Sequence, residues 1–264
     1  MDMTRASTCT YPLREQSLDY AFEVVAGAGF NKLDLWGRAP HFSTDPDEVK
    51  PQDIEALVQS SGVRVANLGS YPGADFDSAE EDVLAEAMAQ MRATIDLAKR
   101  FGARSIRVLP GHGEDPGVVD AIAEPFRQAA DYAAQKGIYL GMENHRGSIA
   151  GVLELAVKLC RLVDSPFFGV LYEPCNLMAG GVDYKEAFEA FRDDIVHVHI
   201  KDGRWTDGAF QRHHLGHGDI DMRWVVQALA GIDYQGDYAL EYEICDIEPI
   251  ETGLVKWYEY WENL

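Results

Sequence analysis

Basic residues are scarce in this chain of 264 residues, which has 23 lysines and arginines against 44 aspartates and glutamates and a formal net charge of −21. A surface with this charge repels polyphosphates, so nucleic acids and anionic membranes are poor candidate partners. No apolar run reaches membrane-spanning length, and the N-terminal segment MDMTRASTCTYPLREQ does not have the apolar centre of a signal peptide. We therefore expect a soluble, cytoplasmic protein.

Cysteine is also rare, and its spacing excludes the common cysteine-based sites. The four thiols form neither a CxxC pair nor a zinc-finger pattern: Cys9, Cys160, Cys175 and Cys245. Reduced, mostly buried cysteines are the simplest interpretation, and they fit a cytoplasmic location.

The remaining composition is that of a globular protein, with 47% hydrophobic and 25% charged residues. The chain is long enough to bury a large core, and no Pro/Gly/Ser-rich linker divides it. We expect one domain over residues 1–264.

Short apolar runs alternate with longer amphipathic segments along the whole chain. The apolar runs predict strands at 7–11, 31–36, 63–68, 105–110, 138–145, 167–173, 195–202 and 237–243. The amphipathic segments predict helices at 17–29, 51–62, 78–102, 118–137, 149–163, 184–193, 222–232 and 247–264. Eight such units favour an α/β fold that closes into a (β/α)8 TIM barrel. A doubly wound open sheet is the alternative, but it usually has a glycine-rich phosphate turn after its first strand, where this chain has CTYPLREQ.

Two carboxylates interrupt the last predicted strand. In ALEYEICD, Glu241 and Glu243 are two residues apart, so they point to the same side of the strand. A buried carboxylate without a partner costs roughly several kcal/mol. A cation or a set of hydrogen bonds must therefore compensate for these acids.

The last four predicted strands all end in polar groups, and in a barrel those ends form one rim. The groups are Glu143 and His145, then Glu173 and Asn176, then His197, His199 and Lys201, and finally Glu241 and Glu243. The first four strands are poorer in such residues, with Asp34, His41, Arg107 and His112 as exceptions. Converging carboxylates and a histidine favour a divalent cation such as Mn²⁺, Mg²⁺ or Co²⁺. The alternative is that each acid forms an ion pair with Lys201, Arg107 or Arg204.

The motifs MENH, EPCNL, HVHIKDG, LGHGDID and YALEYE occur in this order, and the chain resembles the xylose-isomerase-like barrel superfamily of sugar isomerases and epimerases. The segment FEVVAGAGFNKLDLWG also resembles the first helix and second strand of that superfamily. The likeness covers essentially the whole chain. It implies a TIM barrel that acts on a small sugar or polyol.

Carried over residue by residue, the resemblance implies that Glu143, Glu173, His199 and Glu241 bind one divalent cation. Mn²⁺ is the first expectation, with Mg²⁺, Co²⁺ or Zn²⁺ as alternatives. Glu173 is a departure, because the superfamily more often has aspartate there, and His217 stands where an acid is common. Further residues are expected to bind substrate: His145, Asn176, Lys201, Arg204, Trp36 and His112.

The expected reaction is isomerisation or epimerisation of a keto-sugar through an enediolate, with Glu143 and Glu241 as the acid/base pair. The same two acids would serve a lyase or dehydratase acting on a keto-sugar, a keto-inositol or a 3-keto-glycoside. A non-catalytic scaffold subunit and an apurinic endonuclease are weaker alternatives, because the ligand set is intact and the net charge is strongly negative. The aromatic YEYW segment fits an outer helix face or a subunit contact, so a homo-oligomer stays open.

Overall fold

A computed structural model describes residues 1–264 and contains ten strands. They are β1 (Ala6–Cys9), β2 (Lys32–Trp36), β3 (Arg64–Gly69), β4 (Ser105–Val108), β5 (Tyr139–Glu143), β6 (Phe168–Tyr172), β7 (Ile195–Ile200), β8 (Asp202–Thr206), β9 (Ala209–His213) and β10 (Tyr238–Leu240). All except β8 and β9 pair in parallel and close into a barrel, in which β1 lies between β2 and β10. The predicted (β/α)8 barrel is confirmed.

Nine helices connect and cover these strands. They are α1 (Leu18–Gly27), α2 (Pro51–Ser61), α3 (Glu81–Phe101), α4 (Val118–Lys136), α5 (Leu153–Val163), α6 (Pro174–Ala179), α7 (Tyr184–Phe191), α8 (Met222–Gly231) and α9 (Ile250–Glu262). None of them is long and apolar enough to cross a membrane.

The longest helix, α3, has the charge order, the end and the buried face that its sequence pattern predicts. It has Glu81 and Asp82 in its first turn and Lys99 and Arg100 in its last, which suits the helix dipole. Gly102 ends it with a φ of 76°, a conformation that glycine adopts without strain. Its apolar residues pack against the barrel, so sequence pattern and burial agree.

Two features were not predicted. The chain after β7 forms an antiparallel hairpin, β8–β9, at the carboxyl rim, and α6 begins immediately after β6. Predicted strands that ran through polar residues to 202 and 243 are shorter, because β7 ends at Ile200 and β10 at Leu240. Glu241 N still donates a hydrogen bond to the carbonyl of Ile200 at 2.9 Å, and the side chains beyond these points lie at the mouth of the barrel.

Candidate active site

A cavity of about 350 Å³ opens at the carboxyl ends of the barrel strands. Its wall combines residues at the ends of β1 to β5, β7 and β10 with residues from the loops that follow them. This is where parallel α/β barrels form their active sites.

Three predicted ligands meet at the base of this cavity. His199 Nδ1 lies 3.4 Å from Glu143 Oε1 and 3.4 Å from Glu241 Oε2, and one donor atom from each residue falls within 4.8 Å of the others. All three side chains are buried. Nδ1 of His199 has no hydrogen-bond partner, although buried polar atoms normally have one.

Neighbouring cations keep both carboxylates ionised. Arg107 Nη1 lies 2.6 Å from Glu143, and Lys201 Nζ lies 2.7 Å from Glu241. Burial alone would raise the pKa of Glu143, but Arg107 and His199 outweigh it and hold that pKa well below its ordinary value. For Glu241 burial is likewise outweighed, chiefly by Lys201 and His199, and the pKa falls to about 2.

Asp34, at the centre of β2, sets the orientation of His199. Its Oδ2 lies 3.3 Å from Nε2 of His199 and 2.6 Å from Nε2 of His197, and its Oδ1 accepts a hydrogen bond from Ser7 at 2.7 Å. A carboxylate on one imidazole nitrogen fixes the tautomer and leaves the other nitrogen free as a ligand. His197 thereby forms part of the network that holds the site.

Glu241 and Glu243 both turn toward the cavity and share one cation. Lys201 donates hydrogen bonds to Glu241 at 2.7 Å and to Glu243 at 2.9 Å, and Arg212 lies 2.8 Å from Glu243. The two acids that interrupt the last apolar run are therefore compensated from the neighbouring strand and from the hairpin.

Glu173, the fourth residue of the expected ligand set, makes different contacts. Its carboxylate accepts hydrogen bonds from the backbone N–H groups of Cys175 at 2.9 Å and Asn176 at 2.5 Å, so it caps α6. It is fully buried, and Lys201 Nζ lies 3.7 Å away. Burial raises the pKa of Glu173 to about 8, against the opposing effect of Lys201. The structure brings three of the four expected ligands together and leaves Glu173 beside them.

The expected substrate-binding residues are divided between the cavity and its surroundings. Trp36, His145 and Lys201 line the cavity. Asn176 lies behind Glu143, with its Nδ2 3.5 Å from Oε1. Arg204 lies on β8 outside the lining, with a buried Nε that has no partner. His112 is exposed beside Asp77, also outside the lining.

Several lining residues received no role from the sequence: Tyr11, Asp34, Arg38, Tyr71 and Arg146. Arg107 was considered there as an ion-pair partner, and it pairs with Glu143 at 2.6 Å. Asp34 did give a signal, because it is a charged residue within the apolar run KLDLW. The others follow β1, β2, β3 and β5, and only the closed barrel brings them to the same cavity.

The donor set fits a divalent cation. Two ionised carboxylates and an imidazole nitrogen without a partner converge on one side of a buried space, and oxygen with imidazole ligands suits Mn²⁺, Mg²⁺, Co²⁺ or Zn²⁺. The contact of Asp34 with the far nitrogen of His199 is the usual second partner of a metal-binding imidazole.

The chain is similar to known proteins in both sequence and fold. A family model for xylose isomerase-like TIM barrels matches residues 22–260. "Putative L-ribulose-5-phosphate 3-epimerase SgbU" of Escherichia coli (strain K12) is 25% identical over 246 residues, which cover 89% of this chain and 80% of that protein. An inosose dehydratase of Lactiplantibacillus plantarum is 26% identical over 139 residues, or 47% of this chain and 46% of that protein. The fold also matches a crystal structure of IolI protein with a bound zinc atom, with a TM-score of 0.77 at 15% identity over 97% of this chain and 95% of the other.

Proposed function

Because the chain belongs to the xylose isomerase-like TIM barrel family, we propose that it is a divalent-metal-dependent epimerase or isomerase of a small keto-sugar. The observation that carries this proposal is the buried Nδ1 of His199, which has no partner and lies 3.4 Å from an oxygen of both Glu143 and Glu241. A buried nitrogen that faces two carboxylates at this distance, without the geometry of a hydrogen bond to either, is placed to share a cation with them.

Glu143, His199 and Glu241 would hold the cation. Mn²⁺ is the ion we propose first, and the zinc atom bound by IolI makes Zn²⁺ the alternative to test beside Mg²⁺ and Co²⁺. When bound, a divalent cation polarises a substrate carbonyl and stabilises the negative charge that develops as a neighbouring C–H proton is lost.

The two carboxylates also supply the proton chemistry. Glu143 ends β5 and Glu241 follows β10, so β6 and β7 separate them in the barrel and they can approach a substrate from different sides. Arg107 and Lys201 keep them ionised, which is the form that a general base needs. If one acid removes the proton and the other returns it to the opposite face, the product is an epimer; return to the neighbouring carbon gives an isomer.

Dehydration is the second candidate reaction, and Lys201 is the residue that favours it. Its buried ammonium group lies against Glu241 and lines the cavity, where it could donate a proton to a departing hydroxyl group. The inosose dehydratase among the relatives points the same way.

Proton NMR in D2O separates these reactions when the Mn²⁺-, Mg²⁺- and Zn²⁺-loaded protein is given a panel of ketoses and keto-inositols. For NMR, Mg²⁺ and Zn²⁺ give sharp lines, and samples loaded with Mn²⁺ are read after chelation. Deuterium on one carbon together with a new epimer or isomer supports the first proposal, whereas an unsaturated product supports dehydration.

Glu241→Gln is the matched variant for this test, because it keeps the shape of the side chain and removes its charge. We expect turnover to fall by at least about 100-fold and divalent metal to bind more weakly. Glu259→Gln, on the exposed face of α9, serves as the control. A wild-type protein that turns over a ketose at full rate after complete metal removal would contradict the proposal.

A further inference from the structure

Basic side chains are concentrated in the cavity of a strongly acidic protein. Arg38, Arg107, Arg146, Lys201 and Arg212 all line it. They are five of the 23 bases of the chain, whereas only four of its 44 acids share the lining. The cavity is thus positive relative to a surface that repels anions.

Three of these bases are already engaged by acids. Arg107 pairs with Glu143, Lys201 with Glu241 and Glu243, and Arg212 with Glu243. The guanidinium groups of Arg38 and Arg146 are different, since neither lies within 4.0 Å of a carboxylate nor donates a hydrogen bond within the protein.

Arg38 is held in place by stacking alone. Its Cζ lies 4.5 Å from the centre of the Tyr71 ring, and Arg107 Cζ lies 4.3 Å from the same centre. Trp36 Nε1 donates to the Tyr71 hydroxyl at 3.2 Å and steadies the ring. A guanidinium fixed by a ring face keeps its five N–H donors available for a ligand.

Arg146 follows β5 on a short loop that is anchored at both sides. Gly147 N donates to Glu114 Oε1 at 2.8 Å, and Ser148 Oγ donates to the carbonyl of His145 at 2.9 Å. The stem of Arg146 passes close to Gly180 at the end of α6. The loop backbone is therefore positioned while the guanidinium remains free.

We propose that Arg38 and Arg146 bind an anionic group of the substrate, a phosphate ester or a carboxylate, while its keto end lies against Glu143, His199 and Glu241. Arginine suits both groups because its planar donors match their paired oxygens. The cavity then has an acidic, cation-binding part on β5, β7 and β10 and a basic part on the loops after β2 and β5. This inference rests on the proposed function for the position of the keto end, but the anion site itself does not depend on turnover.

The first experiment measures anion binding without any reaction. Inorganic phosphate and acetate are titrated into the metal-free full-length protein, into Arg38→Ala, into Arg146→Ala and into the double variant. Arg64→Ala is the control, because Arg64 is exposed at the opposite, amino-terminal end of β3. We expect one anion to bind the wild type and the double variant to bind it at least about 10-fold more weakly, while Arg64→Ala matches the wild type.

The second experiment compares matched substrates on the metal-loaded enzyme. Ribulose 5-phosphate is paired with ribulose, and 5-keto-D-gluconate with L-sorbose, so that the two arms distinguish phosphate from carboxylate. We expect the anionic member of one pair to have the lower KM and each single arginine variant to raise that KM by about 10- to 100-fold.

The outcomes separate the two proposals. Turnover of neutral ketoses with no preference for either anionic partner, and no anion binding that depends on the two arginines, overturns the anion site and leaves the keto-sugar reaction in place. Anion binding that the double variant loses, with no turnover of any ketose, supports the site and counts against the reaction.

Discussion

At the scale of single residues, the orientation of His199 depends on the buried carboxylate of Asp34. Asp34 lies against Nε2 of His199 at 3.3 Å and is itself held by Ser7 and His197. Because Nε2 has this partner, Nδ1 faces the two glutamates. Asp34 is thus a positioning residue for the proposed cation site.

Asp34→Asn tests this role directly. The amide cannot serve both histidines as a charged acceptor, so we expect the affinity for Mn²⁺, measured by calorimetry, to fall by about 10- to 100-fold. Asp131→Asn, on the exposed face of α4, is the control and should bind Mn²⁺ as the wild type does. An unchanged affinity in Asp34→Asn would show that the packing around His199 is enough to orient it.

Metal binding should also respond to pH in a defined direction. Burial alone would lower the pKa of His199, but Cys9, Glu241 and Asp34 raise it well above its ordinary value. A cation must therefore compete with a proton for this imidazole. We expect Mn²⁺ affinity to decrease as pH falls from 8 to 6 by about tenfold per unit, with release of about one proton.

Calorimetry in buffers of different ionisation enthalpy measures this proton directly. Affinity that stays constant across the range, with no proton released, would mean that His199 is already neutral before the metal binds.

At the scale of elements, one buried carboxylate at the start of β8 ties the loop after the hairpin β8–β9 to the rim. Asp202 accepts hydrogen bonds from the backbone N–H groups of Gly203, Gly216, Gly218 and Ile220 at 2.8–3.2 Å. Gly218 must be glycine, because a Cβ there would overlap this carboxylate. The motif LGHGDID is explained by this arrangement as a loop that wraps around Asp202.

Removing that carboxylate should loosen the hairpin. Asp202→Ala leaves four N–H groups without their acceptor, and we expect the free energy of unfolding in urea to fall by about 3 kcal/mol. Gln211→Ala, an exposed change on β9 of the same hairpin, should alter it by less than about 0.5 kcal/mol. Equal stability of the two variants would rule out Asp202 as the anchor.

Alanine substitutions at two helical glycines are expected to change the free energy of unfolding in opposite directions. Gly253 in α9 lies directly under the Tyr242 hydroxyl, whereas Gly27 at the end of α1 has nothing within 4 Å of its missing Cβ. Gly253→Ala should lower the free energy of unfolding by about 1–3 kcal/mol through overpacking. Gly27→Ala should raise it by about 0.5–1 kcal/mol through helix propensity. Urea denaturation of both proteins checks the pair, and stabilisation by Gly253→Ala would contradict the packing.

The elements also show where sequence patterns are informative. Barrel strands and outer helices have long periodic signals, and each predicted segment contains the observed one or overlaps most of it. The hairpin was missed because GRWTDGAFQRH continues directly from an apolar strand and has little apolar content of its own. Strand ends were extended too far, since polar residues such as Lys201 and Glu241 continue the alternation after the ladder has ended.

At the scale of the whole molecule, the net charge of −21 predicts that added salt stabilises the folded protein. Like charges repel more strongly in the compact state, and salt reduces this repulsion as the screening length falls from about 30 Å at 0.01 M to about 8 Å at 0.15 M. We expect the melting temperature to rise by a few degrees over this range of sodium chloride. Glycerol at equal osmolality is the control, and a melting temperature that falls with added salt would contradict the expectation.

Closure of the barrel also determines how much of the site could be predicted. Glu143, His199 and Glu241 lie in recognisable motifs on late strands, so their convergence followed from the fold class. Arg38, Tyr71 and Arg146 lie far apart in the sequence and in no motif that was singled out, and only the closed ring brings them to one cavity. Glu173 also lies in a motif, and its carboxylate accepts hydrogen bonds from the first backbone N–H groups of α6, which the motif does not indicate.

Because Trp36 lines the cavity, its fluorescence can report ligand binding there. The indole lines the cavity and is hydrogen-bonded to Tyr71, whereas Trp257 and Trp261 are buried elsewhere, Trp224 packs against Tyr184 and Phe188, and Trp205 is 48% exposed on the hairpin. A ligand that reaches the stacked Arg38 and Tyr71 pair changes the surroundings of a single fluorophore. In a Trp205→Phe background, the emission of Trp36 could therefore follow the arrival and departure of a sugar within milliseconds, before any product has formed.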